Sequence, residues 1–178
     1  SVLSRISWRT LLLLALSLKL LLALLFSSGY SDALFRPFLQ LFVTTGADPY
    51  GHFLTHPGGE AFPYPPLMLY LMALPMWVLH LTGLESVALA NLFFKLPLLA
   101  ADLLILWVLL RSVPHRRGAV LAFWFLSPLV LYSTYAHAQL DIIPTALLFL
   151  AVYTLQQRRW LGAGALLGLA VAPTLHLL

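Results

Sequence analysis

Two aspartates stand where a polar stretch gives way to an apolar, helix-forming one, and their chemistry makes them candidates for catalysis. Asp32 follows Ser-Gly-Tyr-Ser, and Asp141 follows Ala-His-Ala-Gln-Leu. A carboxylate beside a reacting hydroxyl can act as a general base, and it can also stabilise positive charge that develops nearby. Either aspartate can instead cap the helix that follows it. The sequence leaves this structural alternative open for both.

A second polar stretch contains three residues of metal-ligand type, His52, His56 and Glu60. Their spacing matches no known metal site, so we interpret them as solvated loop residues and predict no metal site. The sequence leaves open whether a divalent metal takes part in the chemistry. In the same stretch, Asp48 precedes Pro49, a pattern that is typical of a turn.

The amino-acid composition indicates that these residues belong to a membrane protein. Hydrophobic residues make up 61% of the 178 residues and charged residues only 9%, and the mean hydropathy is +0.93. A soluble domain carries roughly 25% charged residues, so this chain is predicted to be an all-α integral membrane protein. With no cysteine, disulfides and thiolate metal sites are excluded. The basic residues lie in short loops, which favours membrane orientation over nucleic-acid binding.

Six apolar stretches are candidate spans: 6–27, 64–81, 87–110, 118–135, 142–155 and 161–178. If all six cross, with the N-terminus inside, the later arginine-rich loops lie outside and the two aspartates lie on opposite faces. If 64–81 does not cross, those loops become cytoplasmic and Asp32 and Asp141 share the outer face. Because it begins at Pro65-Pro66 and contains Pro75, 64–81 is the weakest span. We therefore predict five spans and keep six as the alternative.

The five-span interpretation makes 1–178 a single membrane domain in the cytoplasmic membrane with a cytoplasmic N-terminus. Residues 1–27 form the first span, 28–85 an outer loop, and 86–178 four further spans. Within the outer loop, 34–43 and 64–81 are predicted to be interfacial or re-entrant helices along the membrane, and Pro75 is predicted to bend or break the second. All the acids except Asp102 then lie outside, namely Asp32, Asp48, Glu60, Glu85 and Asp141. All the arginines except Arg36 lie inside, namely Arg5, Arg9, Arg111, Arg116, Arg117, Arg158 and Arg159.

Three charged residues interrupt the apolar stretches. Lys95 and Asp102 lie seven residues apart and therefore on one face of a helix. They are either a buried structural pair or residues that line a cavity. Lys19 is interpreted as a snorkelling side chain or a polar contact to a neighbouring helix.

The order of several strings resembles the N-terminal half of the GT-C superfamily of multi-span glycosyltransferases, which use polyprenyl-phosphate sugars. The strings are YSDALFRPFLQLFVTTGADPYGHF, FPYPPLMLYLMALP, KLPLLAADLLILWVLLR, FLSPLVLYSTYAHAQLD and RRWLGAGALLGLAVA. The likeness is greatest to mannosyltransferase-like members. It implies that Asp32 is the catalytic aspartate of the first outer loop and that the Pro65-Pro66 helix lies along the membrane. It also places the family's second acidic motif, often Gly-Gln-x-Asp, on 138–141, with Ala138 replacing the glycine.

The resemblance implies an inverting hexosyl transfer at the outer face. Asp32 and Asp141 would be catalytic, and the implied substrate-binding residues are Arg36, Asp48, Tyr64, Lys95, His137 and Gln139. The implied partners are membrane lipid and the polyprenyl-phosphate sugar, with no certain cofactor and no nucleic acid. Because the chain begins with Ser and matches only the first half of the superfamily, we interpret it as an N-terminal module. The alternative is a small non-catalytic membrane subunit of a larger complex, which a stop codon after Leu178 would favour.

Overall fold

The computed structural model describes residues 7–56, 62–84 and 86–172, and this part of the chain contains helices and loops but no β-strand. The predicted positions of Arg5, Glu60 and Glu85 concern residues outside these ranges. The helices are α1 (Trp8–Leu25), α2 (Arg36–Thr45), α3 (Pro49–Thr55), α4 (Pro66–Thr82), α5 (Val87–Ser112), α6 (Arg117–Val120), α7 (Pro128–Val130), α8 (Ile142–Gln156) and α9 (Trp160–Val171). The all-α prediction is therefore confirmed for the described residues.

Helix α1 packs antiparallel to α5. The Asn91 amide, one turn into α5, donates to the Leu24 carbonyl near the end of α1 at 3.1 Å. Further along both helices, the Lys19 ammonium meets the Asp102 carboxylate at 2.6 Å. The end of α1 and the start of α5 therefore lie together at one end of the bundle.

The opposite end of the bundle is basic. The Arg117 guanidinium lies 5.2 Å from the Trp8 ring, which joins the start of α6 to the start of α1. Arg111 lies in the last turn of α5. We call this end, with Trp8, Arg111 and Arg117, the basic end, and the end with Ser28, Val87 and Asp141 the acidic end. Among the described residues, helix contacts therefore separate a basic end from an acidic end, as the sequence predicts. The side of the membrane that each end faces stays a prediction.

A bent pair of helical segments runs from the basic end to the acidic end. Pro114–Phe125 and Pro128–Ala136 meet at an angle of 43° and would together be long and apolar enough for one span. The break falls at Leu126 and Ser127, before Pro128. Proline lacks a backbone N–H, so a helix tends to restart rather than continue at this residue.

By length and composition, two helices of the described chain can cross a membrane, α1 and α5, or three if the bent pair is one span. Helices α8 and α9 are apolar but shorter. The exact count of five spans therefore stays a prediction.

Helix α4 lies across the acidic end of the bundle. It begins beside Tyr64, whose electrostatic neighbours are Asp141 and Tyr30, and it ends at Gly83, a left-handed residue with φ of 67°. Only Leu84, residue 85 and Ser86 then separate it from α5, which starts at the same end. Both ends of α4 therefore lie at the acidic end, which supports the non-crossing interpretation. The helix continues through Pro75, so it is not broken there, and a bend at this proline stays a prediction.

The predicted interfacial helix over 34–43 is α2, which is preceded by a π-helical turn at Ser31–Phe35. Helix α2 packs on α4, and the Trp77 indole donates to the Val43 carbonyl at 3.1 Å. Phe35 and Phe38 are buried in the main hydrophobic core together with residues of α4 and α5. This core fixes α2 and α4 on top of the long helices.

The middle of the bundle contains a buried polar cluster. The Asp102 carboxylate accepts hydrogen bonds from Lys19 Nζ at 2.6 Å, Tyr135 Oη at 2.8 Å and Trp124 Nε1 at 3.0 Å. Lys19 and Asp102 are completely buried. The predicted Lys95–Asp102 pair is therefore wrong, because Lys19 occupies the carboxylate. The predicted contact of Lys19 with a neighbouring helix is confirmed.

Candidate active site

The first acidic segment begins directly after α1 and is capped by serine rather than aspartate. The Ser28 hydroxyl accepts a hydrogen bond from the Ser31 backbone N–H at 3.1 Å, which is an N-cap contact. Asp32 lies one residue later, inside the helical turn. The capping interpretation of Asp32 is therefore wrong, and its carboxylate is available for another role.

The Asp32 carboxylate is oriented through one of its two oxygens. Ser27 Oγ donates to Asp32 Oδ1 at 2.5 Å, and Arg36 Nη1 lies 3.1 Å from the same oxygen. The other oxygen, Oδ2, makes no hydrogen bond within the described ranges. The side chain is 47% exposed, so Oδ2 can reach a substrate at the surface of the acidic end.

The second acidic segment follows the bent pair and turns sharply at Ala138. This alanine has φ of 61°, in the left-handed region that favours glycine. The turn is held by the Gln139 N–H, which donates to the Ser133 carbonyl at 2.9 Å. Ala138 stands where the superfamily motif has glycine, so the structure gives the physical reason for glycine at that position.

Asp141 begins α8, but its side chain makes no capping hydrogen bond. Its backbone carbonyl instead accepts the Thr145 hydroxyl at 2.7 Å. The capping interpretation of Asp141 is therefore wrong as well, and its carboxylate faces a cleft.

One hydrogen bond joins the two acidic segments. Ser28 Oγ donates to the His137 carbonyl at 2.8 Å, and the rings of Tyr30 and His137 lie 6.0 Å apart. Between the segments is a cleft of about 260 Å³, lined by Tyr30, Phe35, Tyr64, His137, Ala138, Gln139 and Asp141. Residues separated by more than 100 positions in the chain thus form one concave, half-polar site.

Tyr64 is held at the edge of this cleft by the loop before α4. The Tyr50 hydroxyl donates to the Tyr64 carbonyl at 2.6 Å. Burial, followed by the negative charge of Asp141 and by Tyr30, raises the pKa of Tyr64 to about 12. The phenol is therefore protonated at neutral pH and can donate a hydrogen bond into the cleft.

Arg36 lies half-buried between Asp32 and α5. Its Nη2 donates to the Asn91 side-chain oxygen, and its guanidinium lies 5.8 Å from the Phe94 ring. The buried Nε of Arg36 has no hydrogen-bond partner among the described residues. Burial lowers the pKa of Arg36, and the charge of Asp32 opposes that shift. The guanidinium therefore keeps an unused donor close to the Asp32 carboxylate.

Lys95 and Asp48, two further predicted substrate-binding residues, have intramolecular partners. The Lys95 ammonium donates to the backbone carbonyls of Phe26 and Ala23 at the end of α1, where a cation is favourable for the helix dipole. Asp48 caps α3 by accepting from the backbone N–H groups of Tyr50 and Gly51 at 3.0 and 3.1 Å. Neither residue lines the cleft, and Asp32 and Arg36 lie beside it rather than among its lining residues. Contact of these residues with substrate stays a prediction.

His52 in α3 and His56 directly after it form no metal cluster with other described residues. The rings of His52 and His56 stack with centroids 4.4 Å apart, and His56 Nδ1 lies 3.0 Å from the His52 carbonyl. Glu60, the third ligand type considered from the sequence, lies outside the described residues. Nothing in the described site requires a metal ion, and whether one takes part stays open.

Comparison with known proteins decides the family. The model of glycosyltransferase family 87 matches residues 62–175. The chain belongs to glycosyltransferase family 87. This family is of the GT-C type, so the resemblance inferred from the motifs is confirmed, and the apolar helices are those of a membrane glycosyltransferase. No curated protein and no solved structure matches the chain.

The family match covers the cleft residues from Tyr64 onward but not Tyr30 and Phe35, which precede residue 62. Tyr64, His137, Gln139 and Asp141 lie within the matched residues, as do Lys95 and the whole of α5. Asp32 and Arg36 precede residue 62 and are joined to this family region by the Ser28–His137 hydrogen bond and by the Arg36–Asn91 contact.

Sequence reasoning did not identify Ser27, Ser28 and Asn91, which hold the site together. The Ser-Ser-Gly stretch before a helix is a recognisable capping pattern, so Ser28 could have been found in this way. The Asn91 contacts with Arg36 and Leu24 depend on helix packing, and no local signal in the sequence reveals them.

Proposed function

We propose that this protein transfers a sugar from a polyprenyl-phosphate carrier to an acceptor hydroxyl at the outer membrane face. The observation that supports this most directly is the Ser28–His137 hydrogen bond, which brings the two aspartate-bearing segments to one cleft. Family 87 membership supplies glycosyl transfer. The polyprenyl-phosphate carrier and the mannosyltransferase-like activity are proposed from the sequence motifs and not from the family match.

In the proposed mechanism, Asp32 is the general base. Ser27 and Arg36 hold Oδ1, which leaves Oδ2 to accept the proton of the acceptor hydroxyl as its oxygen attacks the anomeric carbon. The bond from that carbon to the phosphate oxygen breaks in the same displacement, so the configuration inverts and the proton ends on Oδ2. A positioned base of this kind contributes roughly 10²- to 10⁴-fold to the rate.

Asp141 lines the cleft with a side chain that makes no capping bond. In this proposal it stabilises the positive charge that develops on the sugar ring in an oxocarbenium-like transition state, and it orients the sugar together with Gln139. The Tyr64 phenol, which stays protonated, donates to a sugar hydroxyl.

The leaving phosphate carries negative charge and requires donors. The Arg36 guanidinium beside Asp32 and the His137 ring at the cleft can supply them, and charge-assisted bonds to phosphate are among the stronger hydrogen bonds in proteins. Lys95 contributes a nearby positive charge, since its ammonium interacts electrostatically with Arg36 and Asp32.

The test is transfer from a radiolabelled polyprenyl-phosphate sugar by the purified protein, expressed from its complete gene. Asp32→Asn keeps the size of the side chain and removes the base, so turnover should fall by about 10²-fold or more. Asp141→Asn should lower turnover less, and Arg36→Ala should weaken carrier binding, which a raised KM for the carrier would report.

Asp48→Asn tests the predicted substrate contact of Asp48 in the same assay. Asparagine caps a helix about as well as aspartate, so a fall in turnover would report lost contact with substrate rather than a lost helix cap. Normal transfer by Asp32→Asn would overturn the catalytic assignment of Asp32, whereas absence of transfer by the wild-type protein would favour the non-catalytic subunit.

A further inference from the structure

A second cleft lies near the basic end of the bundle, away from the candidate active site. It has a volume of about 300 Å³ and lies between α5 and α8. The α5 residues that line it are Val108, Leu109 and Ser112, and the α8 residues are Leu148, Phe149, Val152, Tyr153 and Gln156. No residue of this cleft takes part in the proposed transfer.

The cleft is an apolar groove that opens sideways from the bundle. Leu148 and Val152 are each 46% exposed, so the groove faces the surroundings rather than the protein interior. Its α8 wall extends from Leu148 to Gln156, which corresponds to about 12 Å at 1.5 Å per residue. One leaflet of hydrocarbon is about 15 Å deep, so the groove matches most of one lipid tail.

The basic end of the groove carries arginine. The Arg111 guanidinium lies 5.5 Å from the Trp107 ring, and Trp107 packs edge-on against Tyr153, a wall of the groove. Arg158 and Arg159 follow Gln156 in the turn after α8, and both are exposed. The described acids lie at the acidic end or, as Asp102 does, in the buried cluster. The mouth of the groove is therefore positively charged without a compensating acid among the described residues.

We infer that this groove binds an anionic phospholipid, with one acyl chain along α8 and the phosphate at Arg111 and Arg158. The apolar walls provide for the chain, and charge complementarity selects an anionic over a zwitterionic headgroup, as in basic pockets between membrane helices. The exposed Trp107 and the partly buried Tyr153 lie beside these charges, and tryptophan and tyrosine are typical of the level of lipid headgroups. This inference does not depend on glycosyl transfer.

The test uses the purified protein in phosphatidylcholine nanodiscs with spin-labelled phosphatidylglycerol and spin-labelled phosphatidylcholine as probes. Phosphatidylglycerol should be immobilised with at least fivefold preference. Arg111→Gln should reduce this preference by about fivefold, the effect of one basic residue near an anionic surface. Arg9→Gln is the matched control, because Arg9 also lies at the basic end, beside a tryptophan, but on α1. It should leave the preference within twofold of the wild-type value.

A second variant tests the groove itself. Val152→Trp should fill it and reduce the immobilised fraction of both probes, whereas Leu129→Trp, at a residue that is 75% exposed elsewhere, should not. Equal immobilisation of the two lipids, or equal loss of preference in Arg9→Gln and Arg111→Gln, would overturn the inference. Unchanged immobilisation in Val152→Trp would mean that protein rather than lipid covers the groove.

Discussion

Replacing Asp102 with asparagine should destabilise the protein far more than its small change in shape suggests. Asparagine keeps the size of the side chain but removes the charge that faces Lys19, whose side chain is 0% exposed. Removing one partner of a buried ion pair costs about 3–5 kcal/mol, because the other charge stays buried without compensation. Lys19 retains the rings of Phe125 and Tyr135 at 4.1 and 4.7 Å, which offset part of that cost, about 1–2 kcal/mol.

The net expectation is a loss of about 3 kcal/mol in the free energy of unfolding for Asp102→Asn. Tyr135→Phe removes one hydrogen bond to the carboxylate and leaves the pair intact, so it should cost only about 0.6 kcal/mol, the average for such bonds in membrane proteins. The double variant Lys19→Met with Asp102→Asn removes both charges. It should lie within about 1 kcal/mol of the wild type, because uncharged replacements of a buried pair are often neutral.

The measurement is reversible unfolding in mixed micelles with increasing sodium dodecyl sulfate, followed by circular dichroism. The single variants Lys19→Met and Asp102→Asn, together with the double variant, form a thermodynamic cycle for the pair. Two results would refute the reasoning: an Asp102→Asn variant as stable as the wild type, or a double variant that loses the sum of the single losses.

Two further predictions address the turn before Asp141 and the course of α4. Ala138→Gly should lower the free energy of unfolding by about 1–2 kcal/mol less than Ala151→Gly, because of these two alanines only Ala138 has a left-handed backbone. Both alanines are 1% exposed, so burial does not distinguish them. Equal losses in chemical unfolding would contradict this prediction. Single cysteines at His56 and Leu84 should react with an impermeant maleimide from outside intact cells, while one at Arg116 should react only after permeabilisation. Labelling of position 84 from the same side as position 116 would show that α4 crosses.

The features set by local chemistry were predictable from the sequence. Composition and charge placement gave the helical membrane class and the two ends of the bundle. The Pro65-Pro66 pair indicated that 64–81 was the weakest candidate span, and both ends of α4 lie at the acidic end of the bundle. The left-handed backbone of Ala138 was not predicted, although the glycine of the motif at this position is a signal that could have indicated it.

The choice of buried partners was not predictable in the same way. The spacing of Lys95 and Asp102 places both on one face of α5, and this made them appear to be a pair. A residue on a neighbouring helix can compete for the same carboxylate, and Lys19 does so because antiparallel packing brings it opposite Asp102. Similarly, an aspartate before a helix is a reasonable cap, but Ser28 fills that role and leaves Asp32 for other contacts.

The ion pair in the middle of the bundle also constrains how the chain enters the membrane during its synthesis. The partner of Lys19 lies 83 residues later, which at about 5–20 residues per second means a wait of roughly 4–17 s before Asp102 emerges from the ribosome. Throughout that interval α1 carries an uncompensated ammonium, which costs about 2.5–3.5 kcal/mol at the centre of a membrane helix. The ion pair removes that cost only when α5 arrives, so we expect α1 to gain stability in the bilayer at that point.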